Sequence, residues 1–238
     1  MTDSKKKSGA PEERPVVDGR SLKQIIADCR ARFVLRTAPL SNPADGTADA
    51  DAPSAAGEPK RAALPPNPTV PPTFHWATLD AAELGGRVER AAAIAEARAA
   101  LASGSLLLVG QSGCGKTSLA CALLHAWDAA HRRRGVFMPA WKLGMARAHH
   151  GLGQGEPPEV EQAMTTRLLV VDDLGSERNV TSNAVPDVIF ARALAGLPTW
   201  VTTWMTAAEV TQRYGDGIAR RLHEVGRVTV IACGQARR

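Results

Sequence analysis

Leu106-Leu107-Leu108-Val109 followed by Gly110-Gln111-Ser112-Gly113-Cys114-Gly115-Lys116-Thr117 is the stretch whose reading decides the fold. Its second part matches G-x-x-x-x-G-K-[ST], the phosphate-binding loop. An apolar run of buried-strand type precedes it. Ser118 to Trp127, rich in Ala and Leu, continues as a helix. Glycines let backbone N–H groups curl around phosphate oxygens, and the helix points its positive end at the anion. The pattern predicts a nucleoside triphosphate, ATP, held by Gly110, Gln111, Ser112, Gly113, Cys114, Gly115, Lys116, Thr117 and Ser118. Lys116 is expected at the β- and γ-phosphates, and the Thr117 hydroxyl on Mg²⁺.

The second half of such a site is Leu168-Leu169-Val170-Val171-Asp172-Asp173. An apolar strand ending in acids is the Walker B pattern. A buried strand carries a carboxylate to the loop without surrendering it to solvent. Asp172 is the expected Mg²⁺ ligand. Asp173 is the candidate to orient or deprotonate an attacking water.

The chain of 238 residues allows one or two domains, and its hydrophobic content of 44% suffices for one sizeable core. A net charge of +5 suits an acidic partner such as nucleic acid. A genome that prefers Arg to Lys explains it equally well. Cys29, Cys114, Cys121 and Cys233 form no C-x-x-C pair, so neither a zinc ribbon nor a disulfide framework follows, and a reducing compartment is expected. Lys5-Lys6-Lys7 is followed by no apolar stretch of signal-peptide type, and no run spans a membrane. The expectation is a cytoplasmic protein without membrane contact.

Three regions follow from composition. Residues 1–37 are a basic arm. Within it, Leu22, Ile25, Ile26, Cys29 and Phe33 share one face of a short helix over 21–36, with arginines and lysine around them. That helix docks either on its own domain or on a partner protein. Residues 38–72 carry nine prolines among Ala, Asp, Gly and Ser and read as a disordered linker. Residues 73–238 read as the ATP-binding domain, with Phe74, Trp76 and Leu79 pinning its edge. A helix over 81–102, interrupted near Gly85-Gly86, leads to strand one at 106–110. Further strands are expected at 136–138, 167–171, 199–203 and 227–232. Helices between them run over 140–149, 159–165, 182–195, 206–213 and 215–224. Strands alternating with helices predict an α/β fold with a parallel sheet covered on both faces.

From about Phe74 to the end the chain resembles an AAA+ ATPase of the bacterial helicase-loader and transposition-helper clade (DnaC/IstB-like). The residues that carry the resemblance are the loop Gly110 to Thr117 and Val170-Val171-Asp172-Asp173-Leu174-Gly175-Ser176-Glu177. Two further stretches join them: Ile189-Phe190-Ala191-Arg192 with Leu197-Pro198-Thr199, and Tyr214-Gly215-Asp216-Gly217-Ile218-Ala219-Arg220-Arg221-Leu222. The resemblance implies a P-loop NTPase of three α/β/α layers, with a five-stranded parallel sheet in the order 5-1-4-3-2. It implies self-assembly into a homo-oligomer, with one subunit's arginine at the next subunit's γ-phosphate. Arg221 matches that finger, and Arg220 stands beside it where a small residue is usual, so either could act. Arg192 matches an arginine that serves a subunit interface in the family, or else lies on the plain surface. Strand five comes so near the end of the sequence that only a reduced lid, or none, is expected.

Two positions depart from the family pattern. Trp204 stands where a polar sensor, typically Asn, helps position the lytic water. An indole donates one hydrogen bond and accepts none. Thr203 is the stand-in, or a shifted register hides the sensor; failing both, hydrolysis is slow and the protein works as a nucleotide-dependent binding switch. Gly217 replaces a residue that is often basic.

Arg132, Arg133, Arg134, Arg147, His149 and His150 are candidate contacts for single-stranded DNA, with a solvated basic surface as the alternative. The functional expectation is an ATP-hydrolysing AAA+ protein that acts on DNA as a replicative helicase loader or transposition helper. Its partner helicase or transposase would be engaged through 21–36. A P-loop kinase is disfavoured by Asp172-Asp173 and by the Tyr214 to Leu222 box.

Overall fold

A computed structural model describes residues 64–234 except 103, 152, 178–182 and 225. The basic arm over 1–37 and most of the linker lie outside the described residues. The elements run α1 (Ala82–Arg87), α2 (Ala92–Ala99), β1 (Ser105–Val109), α3 (Lys116–His131), β2 (Val136–Pro139), α4 (Ala140–Ala148), α5 (Pro158–Thr165), β3 (Leu169–Leu174), α6 (Ala184–Ala195), β4 (Thr199–Thr203), α7 (Ala207–Tyr214), α8 (Asp216–Leu222) and β5 (Val228–Ala232). All strand pairs are parallel, in the order β2-β3-β4-β1-β5. This is the expected 5-1-4-3-2 sheet read from the other edge.

Alternate residues of each strand point to opposite faces, and each face has its own core. Leu106, Leu108, Val170 and Trp200 pack with α1, α2 and α3. Leu107, Leu169, Val171 and Val201 pack with α4 to α8. Both faces of the central strands are therefore dry, which is why these strands read as continuous apolar runs.

The helix expected over 81–102 is two helices, and the break falls at Val88–Ala91 rather than at Gly85-Gly86. Its cause is tertiary. Glu89 N–H donates to Cys114 O at 3.3 Å and Arg90 N–H to Cys233 O at 2.9 Å, so the chain leaves the helical path to rest on the phosphate loop and the end of β5. The end of the stretch read as linker, 64–72, lies along the domain. Val70 is in the core and Asn67 is buried, its amide donating to Asp128 Oδ2 at 2.7 Å and to Gly135 O at 3.0 Å. Thr69 Oγ1 accepts Phe137 N–H at 2.9 Å and so covers part of the β2 edge. Phe74, Trp76 and Leu79 pack against the core as expected of anchors.

Arg192 is neither at the surface nor free for an interface. It is fully buried, and its guanidinium donates to Thr199 Oγ1, Ala163 O, Thr166 O and Pro198 O at 2.6–2.8 Å. It ties α6 to the end of α5 and the start of β4. Burial pulls its pKa down to about 9. The four oxygen acceptors favour the charged form, because a guanidinium without them would be left desolvated and unpaired.

Candidate nucleotide-binding site

The loop begins where β1 ends. Gly110 N–H donates to Thr203 O at 3.3 Å, which hangs the loop from the neighbouring strand. Gln111, Ser112 and Gly113 are exposed at its tip, whereas Cys114, Lys116 and Ser118 are buried. Gly115 is the residue before α3 and has φ +91°. A Cβ there would sit 2.4 Å from Arg87 O and 2.8 Å from Val88 Cα. Only glycine fits both the left-handed backbone and that close approach. The loop thus turns sharply into α3, whose first N–H groups have no partner within the helix, an arrangement suited to an anion.

Lys116 Nζ donates to Gly110 O at 2.9 Å and Gln111 O at 2.7 Å, so its ammonium lies across the loop. Thr117 Oγ1 donates to Asp172 Oδ1 at 3.0 Å. That bond joins the two halves of the expected site, which come from positions far apart in the sequence. Asp172 is 9% exposed. Burial raises its pKa, against the lowering effect of the Thr202 and Thr117 hydroxyls.

Asp172 and Asp173 part company at once. β3 does not stop at the acids but continues through Leu174, with a register shift against β4 between Val171 and Leu174. Asp173 takes φ +59° in that irregularity and is exposed. One acid is buried against the loop, and the next faces outward.

Thr203, the expected stand-in for the family's polar sensor, has its hydroxyl engaged by the backbone. Its hydroxyl donates to Leu174 O at 2.9 Å and accepts Met205 N–H at 3.1 Å. Thr202, one residue earlier, reaches the two acids instead. Its hydroxyl donates to Asp172 Oδ1 at 2.7 Å and accepts Asp173 N–H at 2.8 Å. Nothing in the sequence separates these two threonines except the strand alternation that gives them different faces. Trp204 packs beside Gly175, where a Cβ would lie 3.5 Å from its indole nitrogen.

On α8, Arg221 lies over the Phe190 ring at 4.2 Å and donates to Gly217 O at 2.7 Å. Arg220 is exposed. Two of the basic residues expected on DNA are engaged within the chain. Arg147 is bound to Glu156 and Asp187. Arg134 pairs with Asp128 and donates to Pro65 O. The exposed face of α4 carries Trp141, Lys142 and Met145, and nothing in the local pattern marks this tryptophan as an outside residue. Among the described residues no group of His, Cys, Asp and Glu could hold a metal as a three-ligand cluster, and no helix is long and apolar enough to cross a membrane.

No family model matches the chain, and no curated protein matches its sequence. Solved structures do. The DnaC helicase loader is 25% identical, with 68% of this chain and 99% of that one covered and a TM-score of 0.53. DnaI is 22% identical over 71% of this chain and 94% of that one, with a TM-score of 0.55. A primosome component from Streptococcus pyogenes serotype M3 is 17% identical over 71% and 93%, with a TM-score of 0.54. The last two carry the fold alone. The sheet order and these likenesses give the chain an AAA+-type P-loop fold, with a core similar to that of the DnaC helicase loader.

Proposed function

We propose that this chain binds ATP with Mg²⁺ and hydrolyses it as an AAA+ protein of DNA replication, in the manner of a helicase loader. The observation that carries this is the Thr117–Asp172 bond at 3.0 Å, which brings a hydroxyl and a buried carboxylate together beside the loop. Hard oxygen donors of this kind suit Mg²⁺. Mg²⁺ held by Thr117 and Asp172 would offset negative charge on the phosphate oxygens. Gly110 to Ser118 would wrap the phosphates with backbone N–H groups. Lys116 would exchange the carbonyls of Gly110 and Gln111 for phosphate oxygens. Asp173, exposed and next to that carboxylate, would orient the attacking water and take its proton. Arg221 of a neighbouring copy would face the γ-phosphate, and its stacking on Phe190 favours it over Arg220 as the ordered cation.

Single-stranded DNA is proposed as a ligand of α4. An exposed indole beside an ammonium offers a base a stacking surface and its phosphate a counter-charge. The basic stretch 21–36 is proposed as the docking element for a partner helicase, or for a transposase if the protein is a transposition helper. A cytoplasmic location belongs to the same reading.

The second reading is a binding switch with little turnover. It is favoured by Trp204 beside Gly175, where an amide would serve better. Phosphate release by the wild type, with and without single-stranded DNA, tests the first reading, with Lys116→Ala and Asp173→Asn expected to abolish it. Nucleotide binding without release supports the switch, and Trp204→Asn would then raise turnover.

A further inference from the structure

Tyr214, the only tyrosine in the sequence, ends α7 and donates its phenol hydrogen to Glu177 Oε1. The other carboxylate oxygen of Glu177 accepts Gly175 N–H at 3.2 Å. Arg213 donates to the Glu177 carbonyl, its Nε lies 3.8 Å from Glu177 Oε1, and its guanidinium covers the Tyr214 ring at 5.6 Å. The Glu177 side chain is 10% exposed. Burial and then the bond to Glu177 hold the Tyr214 pKa above its ordinary value, so the phenol remains a donor at neutral pH.

The two ends of this clasp sit at different parts of the proposed reaction. Ser176 N–H closes onto Asp173 O at 2.9 Å, so the turn that Glu177 grips is the turn that starts at Asp173. Tyr214 is followed by Gly215, the residue before α8, and α8 carries Arg221. A phenylalanine would fill the same space. The hydroxyl adds a directed bond to a carboxylate already committed to Gly175, and such a bond transmits displacement where apolar packing slides.

We propose that Glu177 is a positioning residue that couples the nucleotide site of its own subunit, through Tyr214, to the arginine helix it offers to a neighbour. This rests on the ATPase reading above. Nucleotide that shifts the Asp173 turn therefore shifts the end of α7 and the start of α8 with it.

Tyrosine labelled with ¹³C at Cζ gives one resonance from the whole protein, and it reports the phenol's hydrogen bond. The titrant is Mg²⁺ with a non-hydrolysable ATP analogue. The resonance is expected to shift at saturation in the wild type. In Glu177→Gln, whose amide can serve only one of the two donors, the analogue should bind with unchanged affinity and the shift should be lost. Tyr214→Phe should lower turnover by about ten-fold with KM unchanged. A wild-type resonance that stays still at saturation overturns the proposal, as does wild-type turnover in Tyr214→Phe. If either variant fails to fold, the wild-type titration still decides. A wild-type protein that binds no nucleotide overturns the ATPase reading itself, and the coupling falls with it.

Discussion

Thr202 Oγ1 donates to Asp172 Oδ1 at 2.7 Å and accepts Asp173 N–H at 2.8 Å, so one hydroxyl on β4 fixes both acids of β3. Thr202→Val keeps the shape and removes both bonds. It leaves a buried carboxylate oxygen short of a donor and an N–H without an acceptor. The expected loss is about 1–3 kcal/mol of stability, read by urea denaturation, together with a fall in phosphate release. Thr202→Ser restores both.

Asp172 makes the ligand-free fold sensitive to pH. Its raised pKa means that the folded chain keeps this proton to higher pH than the unfolded chain does. Its contribution to stability is largest below the ordinary carboxylate range and is lost as pH rises through the folded value. Above the folded value the charged carboxylate is a net cost. Asp172→Asn is therefore expected to raise the melting temperature of the ligand-free protein, while Mg²⁺ with ATP stabilises only the wild type. Thermal melts at neutral and mildly acidic pH check both; the difference between variants should shrink as pH falls.

Gly113 and Gly115 both have positive φ, +86° and +91°, but only Gly115 is crowded. Gly113→Ala bears the backbone term alone, about 1–2 kcal/mol. Gly115→Ala adds a collision with Arg87 O and Val88 Cα and must displace the α1–α2 junction. Its loss in chemical denaturation should clearly exceed that of Gly113→Ala.

Arg192 and Arg221 should behave as opposites. Arg192→Met strands three carbonyls and a hydroxyl in the interior, with a loss of at least about 3 kcal/mol in denaturation. Arg221→Ala removes a guanidinium from the surface of α8 and should melt within a few degrees of the wild type, yet fail to turn over ATP. Mixed with Lys116→Ala, which keeps its own Arg221, it should regain activity. Failure of the mixture to exceed the sum of the separate proteins counts against a shared site.

The strand order was implied by the family resemblance alone, whereas the loop, the strands and the Asp172 carboxylate on β3 were legible because each depends on neighbours in sequence. Glycine spacing, apolar runs and alternation carry them. What was not legible depends on distant partners. The helix break at Val88–Ala91 is set by Cys114 and Cys233. The burial of Arg192 is set by carbonyls from α5 and the turn before β4. Thr202 and Thr203 look alike until β3 pairs with β4 and bulges at Asp173, after which one reaches Asp172 and the other Leu174 O. Trp141 has the composition of a core residue, and only the packing of Leu143 and Gly144 inward turns it outward.

Calorimetric titration of the full chain with ATP, with and without Mg²⁺, is the most direct test of the central claim. Saturable binding at one site per chain, strengthened by Mg²⁺ and lost in a folded Lys116→Ala protein, is the predicted result. Binding that is absent in the wild type, or that survives unchanged in Lys116→Ala, would contradict it.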